Sequence, residues 1–89
     1  MDILYRASAG TMESSDAYVE IEPGENGIHI ELESVVQAQF GDAICEAAQD
    51  VLLCEGVQNA NVRIIDRGAL ECVIRARVET AVRRGREKV

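Results

Sequence analysis

Two short runs of the chain alternate strictly between apolar and polar residues. In Ala17 to Glu22, the residues Ala17, Val19 and Ile21 share one face, and Tyr18, Glu20 and Glu22 the other. In Ile28 to Glu33, Ile28, Ile30 and Leu32 alternate with His29, Glu31 and Glu33. A period of two is that of a half-buried β-strand. Between the runs lies Pro-Gly-Glu-Asn-Gly (23–27), the clearest turn in the chain. Alternating runs on either side of such a turn predict a β-hairpin. Ahead of them, Glu13-Ser14-Ser15-Asp16 reads as a turn, because Ser and Asp side chains bond to nearby backbone groups. Ala9 to Met12 reads as extended, which leaves room for a short extra strand before Ser14.

After Ser34 the period changes. Val36, Phe40, Ile44, Ala47, Val51 and Cys54 recur at spacings of three and four, which predicts a helix over Val35 to Cys54 with Ser34 as its N-cap. Gly41 inside it costs about 1 kcal/mol relative to Ala, and Gly56 is a natural stop. Asn61 to Asp66 reads as a third strand, with Val62 and Ile64 on one face. Asp66 can cap a second helix, in which Leu70, Val73, Ile74, Arg77, Val78, Ala81 and Val82 follow a 3.6-residue period. A strand over Glu71 to Val78 is the alternative, since Arg75 and Arg77 alternate with small and apolar residues. Residues 1–8 and 84–89 read as loosely held ends. The expected fold is α+β: β-β-α-β-α, a small single domain over 1–89, with both helices on one face of a mostly antiparallel sheet.

Length and charge narrow the functional classes. A chain of 89 residues buries roughly 60–65% of the surface that its unfolded form exposes, enough for one modest core. Tyr5, Tyr18 and Phe40 are its only aromatic residues, so that core is aliphatic. The formal net charge of −7 is unevenly spread. Residues 1–62 hold twelve acids and one base, Arg6; residues 63–89 hold eight bases and four acids. An acidic body argues against nucleic acid as a partner, which needs clustered Lys and Arg. The basic end reads as a solvated helix face or a docking edge. No stretch approaches the ~20 apolar residues of a membrane span. Cys45, Cys54 and Cys72 form no C-x-x-C pair, and His29 is the sole histidine, so no metal motif is present. The cysteines fall on or beside a helix stripe and read as core thiols. Free thiols, with no apolar h-region in MDILYRASAG, point to the cytoplasm.

Catalytic sets are equally scarce. Ser14 or Ser15 as a nucleophile needs a base, and His29 reads as a solvated strand residue between glutamates. Glu20, Glu22, Glu31 and Glu33 read as a solubilising, edge-protecting face, or alternatively as a docking face for basic partners. No Gly-rich phosphate loop precedes a helix with a Lys. What is left is a small acidic protein with a serine-bearing turn. That profile suits a carrier, which needs an accessible hydroxyl for a covalent arm and a charged surface for transient docking.

AGTMESSDAYVEIEPGENGIHIELES (9–34), followed by QFGDAI (39–44), DRGALECVIRARVE (66–79) and a basic tail, resembles the acyl carrier protein (gamma subunit) family of citrate lyase. The resemblance runs from about Ala9 to Arg84. The family pattern is A-G-T-L-E-S-[GS]-D, then a strand, then Q-F-G and G-A-L-[DE]-C. Met12 replaces the usual Leu, a nearly volume-conserving change. The resemblance implies a non-catalytic carrier that is not the four-helix bundle of ordinary carriers, whose D-S-L motif is missing here. It implies that Ser14 carries 2'-(5''-phosphoribosyl)-3'-dephospho-CoA through a phosphodiester, while Ser15 sits where the family allows Gly or Ser. It further implies acetyl and citryl thioesters on that arm in citrate fermentation: the alpha subunit exchanges acetyl for citrate and releases acetate, and the beta subunit cleaves the citryl thioester to oxaloacetate and regenerates the acetyl arm. A dedicated holo-carrier synthase would load the arm, with Thr11, Glu13 and Asp16 as candidate recognition residues. The carrier of a malonate decarboxylase-type complex is a related alternative; a non-carrier α+β interaction module, with the serines only a polar turn, is the other.

Overall fold

The computed structural model describes residues 2–87, without the side chain of Gln37. Its elements are β1 (Ala7–Gly10), β2 (Ala17–Glu22), β3 (Ile28–Ser34), α1 (Gln37–Cys54), β4 (Ala60–Asp66) and α2 (Glu71–Arg86). The α+β reading holds, and the extra strand before Ser14 is present as β1. The four strands form one sheet in the order β1-β2-β4-β3. β1 pairs antiparallel with β2 and β2 antiparallel with β4, whereas β3 runs parallel to β4.

The predicted hairpin is split. β4 lies between β2 and β3 and bonds to both. The 23–27 loop steps over the start of β4 rather than closing a tight turn. Gly24 passes so close to Ala60 that a Cβ on it would stand 2.9 Å from the Ala60 carbonyl carbon. The Gly27 N–H donates to Asn59 Oδ1 (2.8 Å), and the Ala60 N–H donates to the Gly27 carbonyl (3.2 Å). Alternation along a strand says which face is buried but not which strand lies alongside. The parallel β3–β4 pair needs a crossover, and α1 supplies it.

Register sorts the side chains into rows. Ala9, Val19, Ile64 and Leu32 lie side by side, as do Ala7, Ile21, Val62 and Ile30. These rows face the helices: α2 lies across β1 and β2, and α1 packs on β3 and α2. On the opposite, open face, Glu20, Arg63 and Glu31 form one row and Glu22, Asn61 and His29 another. Arg63 thus sits between two glutamates, a favourable cross-strand arrangement.

Both helices are helices in full, so the strand alternative for 71–78 is excluded. In α2, Ile74, Val78, Ala81, Val82 and Gly85 are buried at helical spacing. In α1 the buried face is Ile44, Ala47, Ala48 and Leu52, with Val51 beside it; the predicted stripe members Phe40 and Cys54 are exposed. A buried side chain such as Leu52 contributes roughly 1.5–3 kcal/mol, so this shift moves the core towards the C-terminal two-thirds of α1. α1 also begins two residues later than expected, after Val36. Ser34 ends β3 instead of capping the helix, and its hydroxyl accepts from the Val36 N–H (3.1 Å) while donating to Asp66 Oδ2 (2.8 Å).

The chain ends, expected to be loose, clasp each other within the described residues. Ile3 is 4% exposed in the core. The N–H groups of Leu4 and Tyr5 both donate to the Gly85 carbonyl, at 2.9 and 2.8 Å. Arg84 Nη1 donates to the Ser8 carbonyl (2.9 Å), and Arg86 Nη2 donates to the Glu55 carbonyl. The rest of both ends, Met1 and residues 88–89, lies outside the described residues. Among the described residues, no helix is long and apolar enough to cross a membrane. The core-thiol reading is corrected too: Cys54 and Cys72 are exposed and Cys45 is half-buried, all three free.

Candidate functional site

The serine-bearing turn stands at one end of the sheet, where β2 begins and β4 ends. β1 stops at Gly10, whose φ is +91°. A Cβ there would lie 1.9 Å from the Ala17 carbonyl oxygen, so only glycine fits. The connection then closes on itself: the Asp16 N–H donates to the Glu13 carbonyl (3.1 Å), with Ser14 and Ser15 at the two central positions. Ser15 takes φ +65°, uncommon for any residue but glycine or Asn, Asp and His. Its N–H is pinned to the Arg67 carbonyl (2.9 Å), and the Arg67 N–H donates to the Asp16 carbonyl (2.9 Å). A glycine at this position adopts the same φ without strain, which accords with the Gly-or-Ser choice in the family pattern.

Asp16 organises the turn. Its Oδ1 accepts from the Ala17 N–H (2.7 Å) and Arg77 Nε (3.0 Å). Its Oδ2 accepts from Thr11 Oγ1 (2.7 Å) and Arg77 Nη2 (2.9 Å). Arg77 therefore grips the carboxylate with two prongs, the strong geometry for this pair. The Arg77 guanidinium first, then the Thr11 hydroxyl and the Ala17 N–H, hold the Asp16 carboxyl well below the usual carboxylate range. Thr11 Oγ1 also accepts from the Glu13 N–H (3.2 Å). The structure thus brings Thr11, Glu13, Ser14 and Asp16 into one turn but gives them different stations. Thr11 and Asp16 are engaged in holding it together, whereas the Glu13 carboxylate is exposed and in no ion pair with the described residues.

Both serines are exposed, and the Ser14 hydroxyl bonds to none of the described residues. Among the described residues no side chain is hydrogen-bonded to it as a general base would be. Asp16 is fully engaged, and His29 lies in the outer row with Glu22 and Asn61, towards the opposite end of the sheet. Among the described residues no group of His, Cys, Asp or Glu could hold a metal ion. Arg77 is the residue that reading the sequence missed. Its signal was there: a charge in phase with the apolar face of α2. Asp66, read from the sequence only as a possible helix cap, also helps to build the site. It is 1% exposed, and besides Ser34 its carboxylate accepts the N–H groups of Gly68 (3.2 Å) and Ala69 (2.9 Å), which fixes the segment that contacts Ser15.

A family profile described as "ACP: Malonate decarboxylase delta subunit (MdcD)" matches residues 5–85. A protein of Escherichia fergusonii named citrate lyase acyl carrier protein is 55% identical over 89 residues, covering 99% of this chain and 92% of the relative. A protein of the same name from Weissella paramesenteroides is 51% identical, covering 94% and 87%. The chain belongs to the citrate lyase acyl carrier protein family. The backbone of this acyl carrier family extends to a chain in the crystal structure of a Pseudomonas malonate decarboxylase hetero-tetramer in complex with malonate. The two share a TM-score of 0.62 and 27% identity, over 89% of this chain and 81% of that one. This chain, like the similar Pseudomonas one, is therefore built on an α+β sheet and not on a helical bundle.

Proposed function

We propose that this chain is the acyl carrier subunit of a citrate lyase complex and that Ser14 is the point of attachment of its covalent arm. The observation that carries the reading is the station of Ser14: a free hydroxyl, exposed at the centre of a turn bonded to both the sheet and α2. The surroundings fit a large phosphodiester-linked group, since no side chain crowds or claims that oxygen. When bound, 2'-(5''-phosphoribosyl)-3'-dephospho-CoA supplies a thiol on which acetyl and citryl units travel between the alpha and beta subunits. The chain's own residues do the holding. Asp16, Thr11 and Arg77 keep the turn rigid, and a tether attached to it keeps its cargo at high effective concentration near both partner sites. Glu13, exposed beside Ser14, is the candidate contact for the dedicated holo-carrier synthase; Thr11 and Asp16 serve that recognition by shaping the turn. The reading places the chain in the cytoplasm, with no nucleic acid or membrane as partner.

The test is loading by the synthase followed by intact mass, then lyase activity of the reassembled complex. Ser14→Ala should take up no arm and abolish activity with its melting temperature unchanged; Ser15→Ala should keep loading. An adduct that persists on Ser14→Ala overturns the assignment. A malonate decarboxylase-type complex is the second reading, favoured by the family profile and the Pseudomonas chain. Restoration of malonate decarboxylation and not of citrate cleavage would establish it.

A further inference from the structure

Seven large apolar side chains are exposed among the described residues, and four of them gather at one end of the molecule. Met12 (51% exposed) lies in the serine turn, Val35 (63%) and Phe40 (54%) at the start of α1, and Leu70 (72%) just before α2. Register explains the convergence. Ala17, Asp66 and Ser34 are partners in one row, so the start of β2 and the ends of β4 and β3 meet at a single edge. The backbone link is direct: Arg67, bonded to Ser15, leads straight into Gly68-Ala69-Leu70. Phe40 and Ala43 face Gly68 and Leu70 across an apolar groove of about 370 Å³. An exposed apolar groove on a small acidic protein is the mark of a contact surface.

We infer that this groove is the docking surface for the enzyme that loads Ser14. The inference rests on the reading of Ser14 as the attachment site. An enzyme that forms a bond to Ser14 Oγ must bring its own surface against this end of the chain, and the exposed apolar groove begins at Gly68, the residue after the one that holds Ser15. Acids stand near it: Glu13 in the turn, Asp42 next to Ala43, and Glu71 in the groove wall, the last paired with the half-buried Arg75 (3.4 Å); the exposed base at this end is Arg67. The fitting partner is therefore an apolar projection flanked by Lys or Arg, drawn in by opposite charge. Two sequence words left without a role by the chemistry of attachment contribute to the walls: Phe40 of Gln-Phe-Gly (39–41) to one, and Gly68 to Glu71 of Gly-Ala-Leu-Glu-Cys (68–72) to the other. Docking changes where the enzyme binds and leaves the bond-forming step alone.

The experiment is steady-state arm loading of the full-length apo chain by the holo-carrier synthase, read by intact mass. Phe40→Ser and Leu70→Ser are compared with Leu53→Ser, an exposed apolar residue near the C-terminus of α1, away from the groove. Truncating an apolar anchor at a protein interface commonly weakens binding about tenfold. KM should therefore rise by about that factor for Phe40→Ser and Leu70→Ser at constant kcat, and stay put for Leu53→Ser. A synthase–carrier titration should show a parallel loss of affinity, and added salt should raise KM. Unchanged KM, an equal effect of Leu53→Ser, or a loss confined to kcat overturns the docking surface. So does a wild-type dimer that Phe40→Ser dissolves, since the patch then belongs to self-association. Failure of wild type to load, or loading of Ser14→Ala, instead overturns the reading of Ser14 itself.

Discussion

Asp16 stands next to the two serines, yet its carboxylate is turned inward, into Thr11, the Ala17 N–H and Arg77. That makes the Asp16–Arg77 pair the fastener of the turn and gives it a pH signature. In the unfolded chain the carboxyl returns to its ordinary value of 3.8, whereas in the fold it lies well below that. A carboxyl depressed on folding contributes stability that is complete above its unfolded pKa and is lost as pH falls towards the folded one. Urea midpoints measured between about pH 5 and pH 2 should therefore fall more steeply for wild type than for Asp16→Asn. Arg77→Gln should be less stable than wild type at pH 7 and should load Ser14 more slowly. Parallel pH curves for wild type and Asp16→Asn would remove Asp16 from this role. The sequence exposed half of this site. Ser14, Ser15 and Asp16 read as a turn because their local bonding is a property of adjacent residues. Arg77, sixty-one positions from Asp16, could be recognised only as a charge out of place on an apolar helix face.

Asp66 plays the corresponding part between elements. It closes β4, receives the Ser34 hydroxyl at the end of β3, and holds the Gly68 and Ala69 N–H groups that lead into α2. Asp66→Ala strands one hydroxyl and two amides in a partly buried place, a loss of about 2 kcal/mol. Asp66→Asn keeps a carbonyl for the two amides and should lose distinctly less; urea unfolding of both variants checks the order. A loss from Asp66→Ala no larger than that of Asp66→Asn would mean that these bonds do not join the strands to α2. The expectation that Asp66 caps the second helix is not met: α2 starts after Leu70 with no side-chain cap, and Asp66 holds the Gly68 and Ala69 amides of the loop before it; its bond to Ser34 was not readable at all. That bond depends on β3 and β4 lying side by side, and alternation is silent on neighbours. The same gap explains the split hairpin: residues 17–22 and 28–33 declared themselves as strands, while the insertion of β4 between them is set by burial on both sides of Val62 and Ile64. The α1 stripe slipped for a related reason. Phe40 is in phase with Ile44, but the neighbouring helix covers only the later turns and leaves Phe40 at the open groove.

The two ends of the molecule are built to opposite purposes. The end with Ser14 is left apolar and open, whereas the other is shut by the chain's own termini. Asp2 accepts the Gln58 and Asn59 N–H groups (2.6 and 3.1 Å), Asn59 in turn holds Gly27, and the Leu4 and Tyr5 amides close on Gly85. Ile3 anchors this clasp, and its burial decides between a packed end and the loose one that residues 1–8 suggested. Polar and apolar residues alternate too little over Met1 to Arg6 to announce a strand, and packing against Gly85 is invisible until α2 is in place. A chain of 89 residues has a total stability of about 4–13 kcal/mol. Ile3→Ala should remove about 2–4 kcal/mol of it, which is enough to bring a marginal domain close to its unfolding threshold. Leu4→Ala, on an exposed neighbour, should shift stability by no more than about 0.5 kcal/mol. Urea unfolding at neutral pH separates the two, and equal, small effects would return the N-terminus to a loose tail. Ile3→Ala should still load its arm in conditions where it stays folded, because the clasp and the Ser14 turn lie at opposite ends of the sheet and share no side chain.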